Sequence, residues 1–352
     1  MVNRLNRVKA QMELMDISAL LVTKKENQIY LSGFHSSSCE MIITRDKNYL
    51  LTDFRYIEAA SEKSPLYEAV LTDSSYTLHE FLKESDIKKL AVEEKCITVS
   101  AYNELKNNTD CELISGDGIV EDVRIVKDDS ELESIAKAEA LGDLCFSHIL
   151  SYLKPGLTEI EVATEIELFL RKNGAERLSF DTICVSGERT SLPHGEPSNK
   201  KLKKGEFVTL DFGCVVDGYC SDMTRTVALG SVTQEQRDIY NLVLQAQKAG
   251  CDEIKSGVSC FAADKTVRDI IAAAGFGSEF GHGTGHGVGL EIHEAPTLNP
   301  RSKEILRENM VVTIEPGIYI PKKFGVRIED LAIVTDSGII NTVKSDKELI
   351  II

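Results

Sequence analysis

The chain has 352 residues, enough for two domains with real cores, and its 42% hydrophobic and 27% charged residues are ordinary for a soluble globular protein. A net charge of −16, with only short basic runs such as Lys203–Lys204, argues against a nucleic-acid or anionic-membrane surface. Nine cysteines without a CxxC pair argue against a disulfide framework or a zinc ribbon, and no apolar run reaches signal-peptide or transmembrane length, so the sequence reads as cytoplasmic with reduced thiols.

In chain order, "ALLVT" (19–23), "MIITRDKNYLLTD" (41–53) and "KLAVEE" (89–94) read as strands. Asp46 to Asn48 supply a turn that makes the middle run a hairpin, and alternation with helical stretches gives an α/β pattern of small-domain size. The pattern changes within "GDGIVEDVRIVKDDS" (116–130), which predicts a first domain over 1–122 and a second over 123–352. Ile135, Ala138, Gly142, Cys145, Phe146, Ile149 and Leu153 then recur at helical spacing until Pro155–Gly156 stops the run. Thr158 and Glu161 form a capping box for a second helix that closes before Gly174. Strands "TICVSG", "EFVTLDFG" and "YCSDMTRTVAL" follow. The order then repeats, with a Thr233/Gln236 capping box, a helix to about Lys255, another from Phe261 to Ala274, and strands "MVVTIEPGIYI" and "FGVRIEDLAIV". Helix, helix, strand, hairpin occurring twice predicts two similar halves placed face to face.

Before the last two strands lies "GHGTGHGVGLEIHEAP" (281–296), with His282, His286 and His293 among five glycines. A dinucleotide loop would need an apolar strand before it and a helix after it, whereas "GFGSEF" precedes and Pro296 and Pro300 follow. Three imidazoles on a backbone free to approach other groups closely point instead to a metal or catalytic site, which needs carboxylates from elsewhere. Asp217–Gly218 is a two-residue turn signal that sets Asp211 opposite Thr224 and makes Asp222 its diagonal neighbour on the same sheet face. Glu315 and Glu329 are equidistant from Lys322, so a short loop centred there sets them directly across from one another. Like charges about 4 Å apart cost roughly 4 kcal/mol at an effective dielectric near 20. Solvent-facing acids fit poorly with the apolar flanks "FVTL", "VVTI" and "LAIV", although Arg327 on the face of Glu329 would neutralise part of the charge. Four acids and one or more histidines suit two divalent ions, and hard oxygen ligands favour manganese, with iron, cobalt and zinc as alternatives. A site of this kind lowers the pKa of bound water from 15.7 to about 7, which makes hydrolysis the natural chemistry.

"LDFG", "SDMTRT", "GHGTGHGVGLEIHEAP", "TIEPGIY" and "VRIED", in this order, resemble metallopeptidase family M24, which contains aminopeptidase P, prolidase and methionine aminopeptidase. The resemblance spans the whole second domain, and "NQIYLSGF" with "LTDFRY" extends it to the N-terminal domain of the proline-specific members. It implies an α/β creatinase-like N-terminal domain and an α+β "pita-bread" catalytic domain. It implies Asp211, Asp222, His286, Glu315 and Glu329 as ligands of two divalent ions. Asp222 and Glu329 would bridge both ions, Asp211 would hold one, and His286 with Glu315 the other. His194, in "PHG", matches a histidine near the substrate carbonyl, and His293 matches one that stabilises the tetrahedral intermediate. His282 and Arg327 match accessory positions, and Glu315 would shuttle a proton to the leaving imide nitrogen. Complete ligand positions argue against a non-catalytic peptide-binding relative, and the extra domain argues against a methionine aminopeptidase. The implied activity is that of an Xaa-Pro aminopeptidase acting as a homodimer on peptides with proline second. An Xaa-Pro dipeptidase (prolidase) stays open beside it, because these motifs do not report substrate length.

Overall fold

Short apolar runs interleaved with helices build a six-stranded mixed sheet in the first of the two units, Met1–Arg124 and Ile125–Ile352, into which the chain divides. The structure is a computed structural model and describes all residues, 1–352. In this sheet the spatial order is 68–71, 48–52, 39–44, 19–22, 89–92 and 112–115, and 39–44 runs antiparallel to both neighbours. The expected hairpin forms, with Ile43 opposite Asn48. All four residues of Ala19–Val22 are buried, as a central strand covered on both faces requires, and Ala19 and Leu21 pack with Ile42, Leu51, Leu90 and Leu105. Glu93, just past the strand 89–92, is buried and accepts the N–H groups of Thr23 and Lys24, each at 2.6 Å, which ties the ends of two parallel strands together.

In the second unit the helix Asp129–Tyr152 begins at a capping box formed by Asp128 and Glu131, and the helix Glu159–Lys172 at the Thr158/Glu161 box. Both boxes satisfy N–H groups that a helix start leaves without partners. The second pair, Gln234–Glu253 and Cys260–Ala273, repeats the arrangement. Each pair precedes a group of antiparallel strands. One sheet orders 223–228, 207–212 and 183–186, and another orders 294–298, 285–287, 311–314, 330–334 and 339–341. No helix is long and apolar enough to cross a membrane, and all nine cysteines are free thiols.

One sequence expectation needs correction. The long strands read from "YCSDMTRTVAL", "MVVTIEPGIYI" and "FGVRIEDLAIV" are each broken in two, leaving Ser221–Asp222, Glu315–Pro316 and Ile328–Glu329 between the pieces. At the breaks the backbone leaves its hairpin ladder for other partners. The Glu315 N–H donates to the Thr284 carbonyl at 2.8 Å, the Glu329 N–H to the Thr224 carbonyl at 3.1 Å, and the Asp222 N–H to the Glu139 carboxylate at 3.2 Å. The His-rich stretch also holds regular structure. Gly285–Gly287 and Glu294–Leu298 are paired strands whose register shifts between His286 and Gly287.

Candidate active site

The hairpin registers carry the acids to one place. Asp211 pairs with Thr224, and the ladders on either side of the second break, Ile314 with Asp330 and Gly317 with Arg327, share the register that sets Glu315 across from Glu329. Candidate ligand atoms of Asp222, His286 and Glu329 lie within 4.8 Å of one another. His286 Nε2 is 3.5 Å from Asp222 Oδ2 and 3.4 Å from Glu315 Oε1. Its Nδ1 lies 3.1 Å from the Gly287 carbonyl, so Nδ1 carries the hydrogen and the Nε2 lone pair faces the acids. The acids are held by neutral donors, Thr224 Oγ1 to Glu329 at 2.6 Å and Thr313 Oγ1 to Glu315 at 3.3 Å.

Two glycines make this crowding possible. A Cβ on Gly213 would stand 2.0 Å from the Ser221 carbonyl oxygen, and one on Gly285 would stand 1.9 Å from that of Thr313. Both contacts are with backbone, which cannot rotate away. Gly285→Ala is therefore expected to push the His286 strand off the strand 311–314 and to cut the binding of divalent ions. Unchanged Mn²⁺ stoichiometry and affinity in this variant, measured by isothermal titration, would contradict that account.

Burial and mutual repulsion dominate the electrostatics. Burial, then the neighbouring acids, raise the carboxyls of Asp222 and Glu329 well above the usual range, and burial pushes Glu315 up to about 8. Burial likewise pushes His282 and His286 down to about 4, so both rings are neutral at pH 7. One guanidinium serves the group, and it is not directed at the glutamates as expected from the sequence. Arg327 Nη2 donates to Asp211 Oδ2 at 2.5 Å, while its Nε reaches Thr224 Oγ1 and its Nη1 reaches the Tyr319 hydroxyl and the Pro193 carbonyl. The break at Ile328 separates Arg327 from Glu329, and Thr224 takes the Glu329 carboxylate instead. Asp211 Oδ1 remains buried without a hydrogen-bond partner. An orphaned carboxylate oxygen, an imidazole lone pair and three further acids, Asp222 and Glu329 buried and Glu315 partly exposed, form a donor set that fits divalent cations, which would replace the protons these acids otherwise retain.

A cavity of about 540 Å³ opens on this group, and His194, His282, His293, Tyr319 and Phe180 also line it. The rings of His293 and His286 meet edge to face, 4.4 Å between centroids. His282 Nδ1 lies 2.8 Å from the Gly283 carbonyl and its Nε2 lies 2.9 Å from the Tyr319 hydroxyl. Asp211, Arg327, Tyr319 and His282 thus form one hydrogen-bonded chain along the wall.

The sequence matches metallopeptidase family M24 over residues 133–336 and the creatinase/prolidase N-terminal domain over residues 4–126. The chain belongs to metallopeptidase family M24. Among solved structures, an Xaa-Pro dipeptidase from Bacillus anthracis is 44% identical, with a TM-score of 0.97 over 100% of this chain and 99% of that one. An X-Pro aminopeptidase from Thermotoga maritima MSB8 is 33% identical, with a TM-score of 0.91 over 97% of this chain and 100% of that one. An Xaa-Pro dipeptidase of Pyrococcus horikoshii is 38% identical over 98% of each chain. As an M24 member the protein is a metal-dependent peptidase, with a creatinase-like N-terminal domain and a pita-bread catalytic domain.

Four residues of this M24 site escaped the sequence reading. Thr224 was available from register, as the partner of Asp211. Tyr319 and Thr313 lie within the "TIEPGIY" motif but carry no charge to mark them. Glu139 gave no signal, because a glutamate within a long helix reads as solvent-facing, yet it is fully buried and holds the Asp222 backbone.

Proposed function

We propose that this M24 peptidase hydrolyses the bond before proline at the N-terminus of peptides. Asp211, Asp222, His286, Glu315 and Glu329 would hold two divalent ions there. The observation that carries the reading is a set of four carboxylates lining one cavity with His286, of which Asp211, Asp222 and Glu329 are buried and Glu315 is partly exposed, served by a single guanidinium. Bound there, the ions, manganese by the hardness of the donors, supply Lewis acidity and a nucleophilic water at neutral pH. Glu315, as the carboxylate it becomes once cations replace its proton, would take a proton from the attacking water and pass it to the proline nitrogen, which must be protonated to leave. His293, its pKa lowered chiefly by burial, and His194 line the same cavity and donate to the carbonyl oxygen as charge develops on it. His282 and Arg327 keep the wall in register through Tyr319.

The charge of the lining favours an aminopeptidase. Arg327 is the one cationic side chain there besides the histidines, and four of its five N–H groups are engaged. The carboxylate of an Xaa-Pro dipeptide meets no free cation in this unit, whereas a longer peptide offers a neutral amide at that point. The second reading, an Xaa-Pro dipeptidase, is favoured by the names of the Bacillus anthracis and Pyrococcus horikoshii relatives. Turnover of stripped protein refilled with Mn²⁺ separates the two. Cleavage of Ala-Pro-Ala with Ala-Pro untouched is the expected result, the reverse makes the protein a prolidase, and cleavage of only the control Met-Ala-Ser removes proline specificity. A homodimer in the cytoplasm completes the proposal, and sedimentation as monomer alone would remove the dimer.

A further inference from the structure

We propose that Arg225 and Asp330 are positioning residues that fix the separation of the two ligand-bearing hairpins, and through it the spacing and affinity of the ion pair. The inference rests on the metal reading above and adds what sets the geometry of that site. Neither residue faces the ions. Along strand 223–228 side chains alternate, so Thr224 shares the site face with Asp211 and Asp222 while Arg225 points to the opposite face. Asp330 stands next to Glu329 in the same way.

On that hidden face Arg225 is 1% exposed, and all five of its N–H groups have acceptors. Nη1 donates to the carbonyls of Thr224 at 3.0 Å and Glu329 at 2.5 Å. Nη2 donates to Asp330 Oδ1 at 2.8 Å and to the Ser345 carbonyl at 2.9 Å, and Nε to the Asp346 carbonyl at 3.1 Å. Asp330 Oδ2 in turn accepts from Gln247 at 2.9 Å, Asn341 at 2.7 Å and Lys347 at 2.5 Å. The two carbonyls clamped by Nη1 are the informative ones. One belongs to Glu329, a ligand assigned to both ions. The other belongs to Thr224, whose hydroxyl orients the Glu329 carboxylate and which lies two residues from Asp222, the other shared ligand. A single planar group therefore grips the backbones of both hairpins where the shared ligands leave them. The direct backbone link at this crossing is one hydrogen bond, from the Glu329 N–H to the Thr224 carbonyl at 3.1 Å, and a single bond does not fix a crossing angle.

A buried ion pair is weak evidence for stability, because desolvation offsets much of its attraction, but its geometry specifies register. Lysine cannot replace this guanidinium, since one ammonium has three donors and no planar fork to span two carbonyls. Arg225→Lys is expected to fold, by circular dichroism and thermal melting, yet to bind its weaker Mn²⁺ about 10- to 100-fold less tightly, the range for lost outer contacts to metal ligands. It is also expected to lose the exchange-coupled Mn²⁺ signal in electron paramagnetic resonance. Asp330→Asn, which keeps the grip on the carbonyls but removes the charge that orients Arg225, is expected to shift both readouts the same way by a smaller factor, and it serves if Arg225→Lys does not fold. Two ions at wild-type affinity with an unchanged coupled signal in either folded variant overturns the inference. Wild-type protein that binds no ion pair overturns the metal reading itself, and this inference with it.

Discussion

Glu315→Gln is expected to lower kcat on Ala-Pro-Ala by about 10³-fold, within the 10²- to 10⁴-fold range for a general acid–base group, while the fold is retained. The carboxyl is fixed from two directions. Its backbone N–H is bonded to the Thr284 carbonyl and Thr313 Oγ1 approaches Oε1 at 3.3 Å, so the nearly isosteric amide occupies the same place. The amide cannot accept a proton from the nucleophile or return one to the proline nitrogen. It also removes one negative charge from an acid cluster that burial keeps partly protonated, so the apo protein gains stability or stays level rather than unfolding. The check is kcat at saturating Mn²⁺ beside a thermal melt of the same sample. Turnover within tenfold of wild type in a folded variant means that another group carries the proton.

The registers that assemble this site were legible because each is fixed by a turn. Asp217 and Gly218 both take positive φ, 50° and 83°, as a two-residue turn of the primed type requires, and every pair from 207–212 to 223–228 follows from it. Lys322, at φ 61°, marks the centre of the second hairpin in the same way. The strand breaks were not legible. "MVVTIEPGIYI" is apolar on both sides of Glu315, and nothing local reveals that its N–H goes to Thr284, just before the strand 285–287. The partner of Arg327 was missed for the same reason, since alternation assigns a face only while a strand continues past Ile328. The change of pattern in 116–130 put the boundary between residues 122 and 123, and the two units of the structure divide two residues later, between Arg124 and Ile125.

Stripped of ions, the protein is expected to lose stability as pH rises from about 6.5 to about 8, and to lose little of it over that range with Mn²⁺ bound. The sign follows from the direction of the shifts. Asp222 and Glu329 are raised well above their ordinary values and Glu315 to about 8, whereas in the unfolded chain such groups titrate near 4. Between those limits these carboxyls bind more protons folded than unfolded, and their stabilisation falls as pH climbs through the folded values; below about 6.5 the buried, neutral His282 and His286 work in the opposite direction, which places the net loss above it. The physical cause is burial, which penalises the charged form of each carboxyl, and then repulsion among carboxylates with a single guanidinium between them. Divalent cations supply that missing positive charge, so their binding at pH 7 releases protons and tightens as pH rises. Melting temperatures measured across this range in chelator and in excess Mn²⁺ give the comparison. Two profiles that run parallel would mean that these acids are ionised without metal, and that neither the ions nor the protons hold the four carboxylates together.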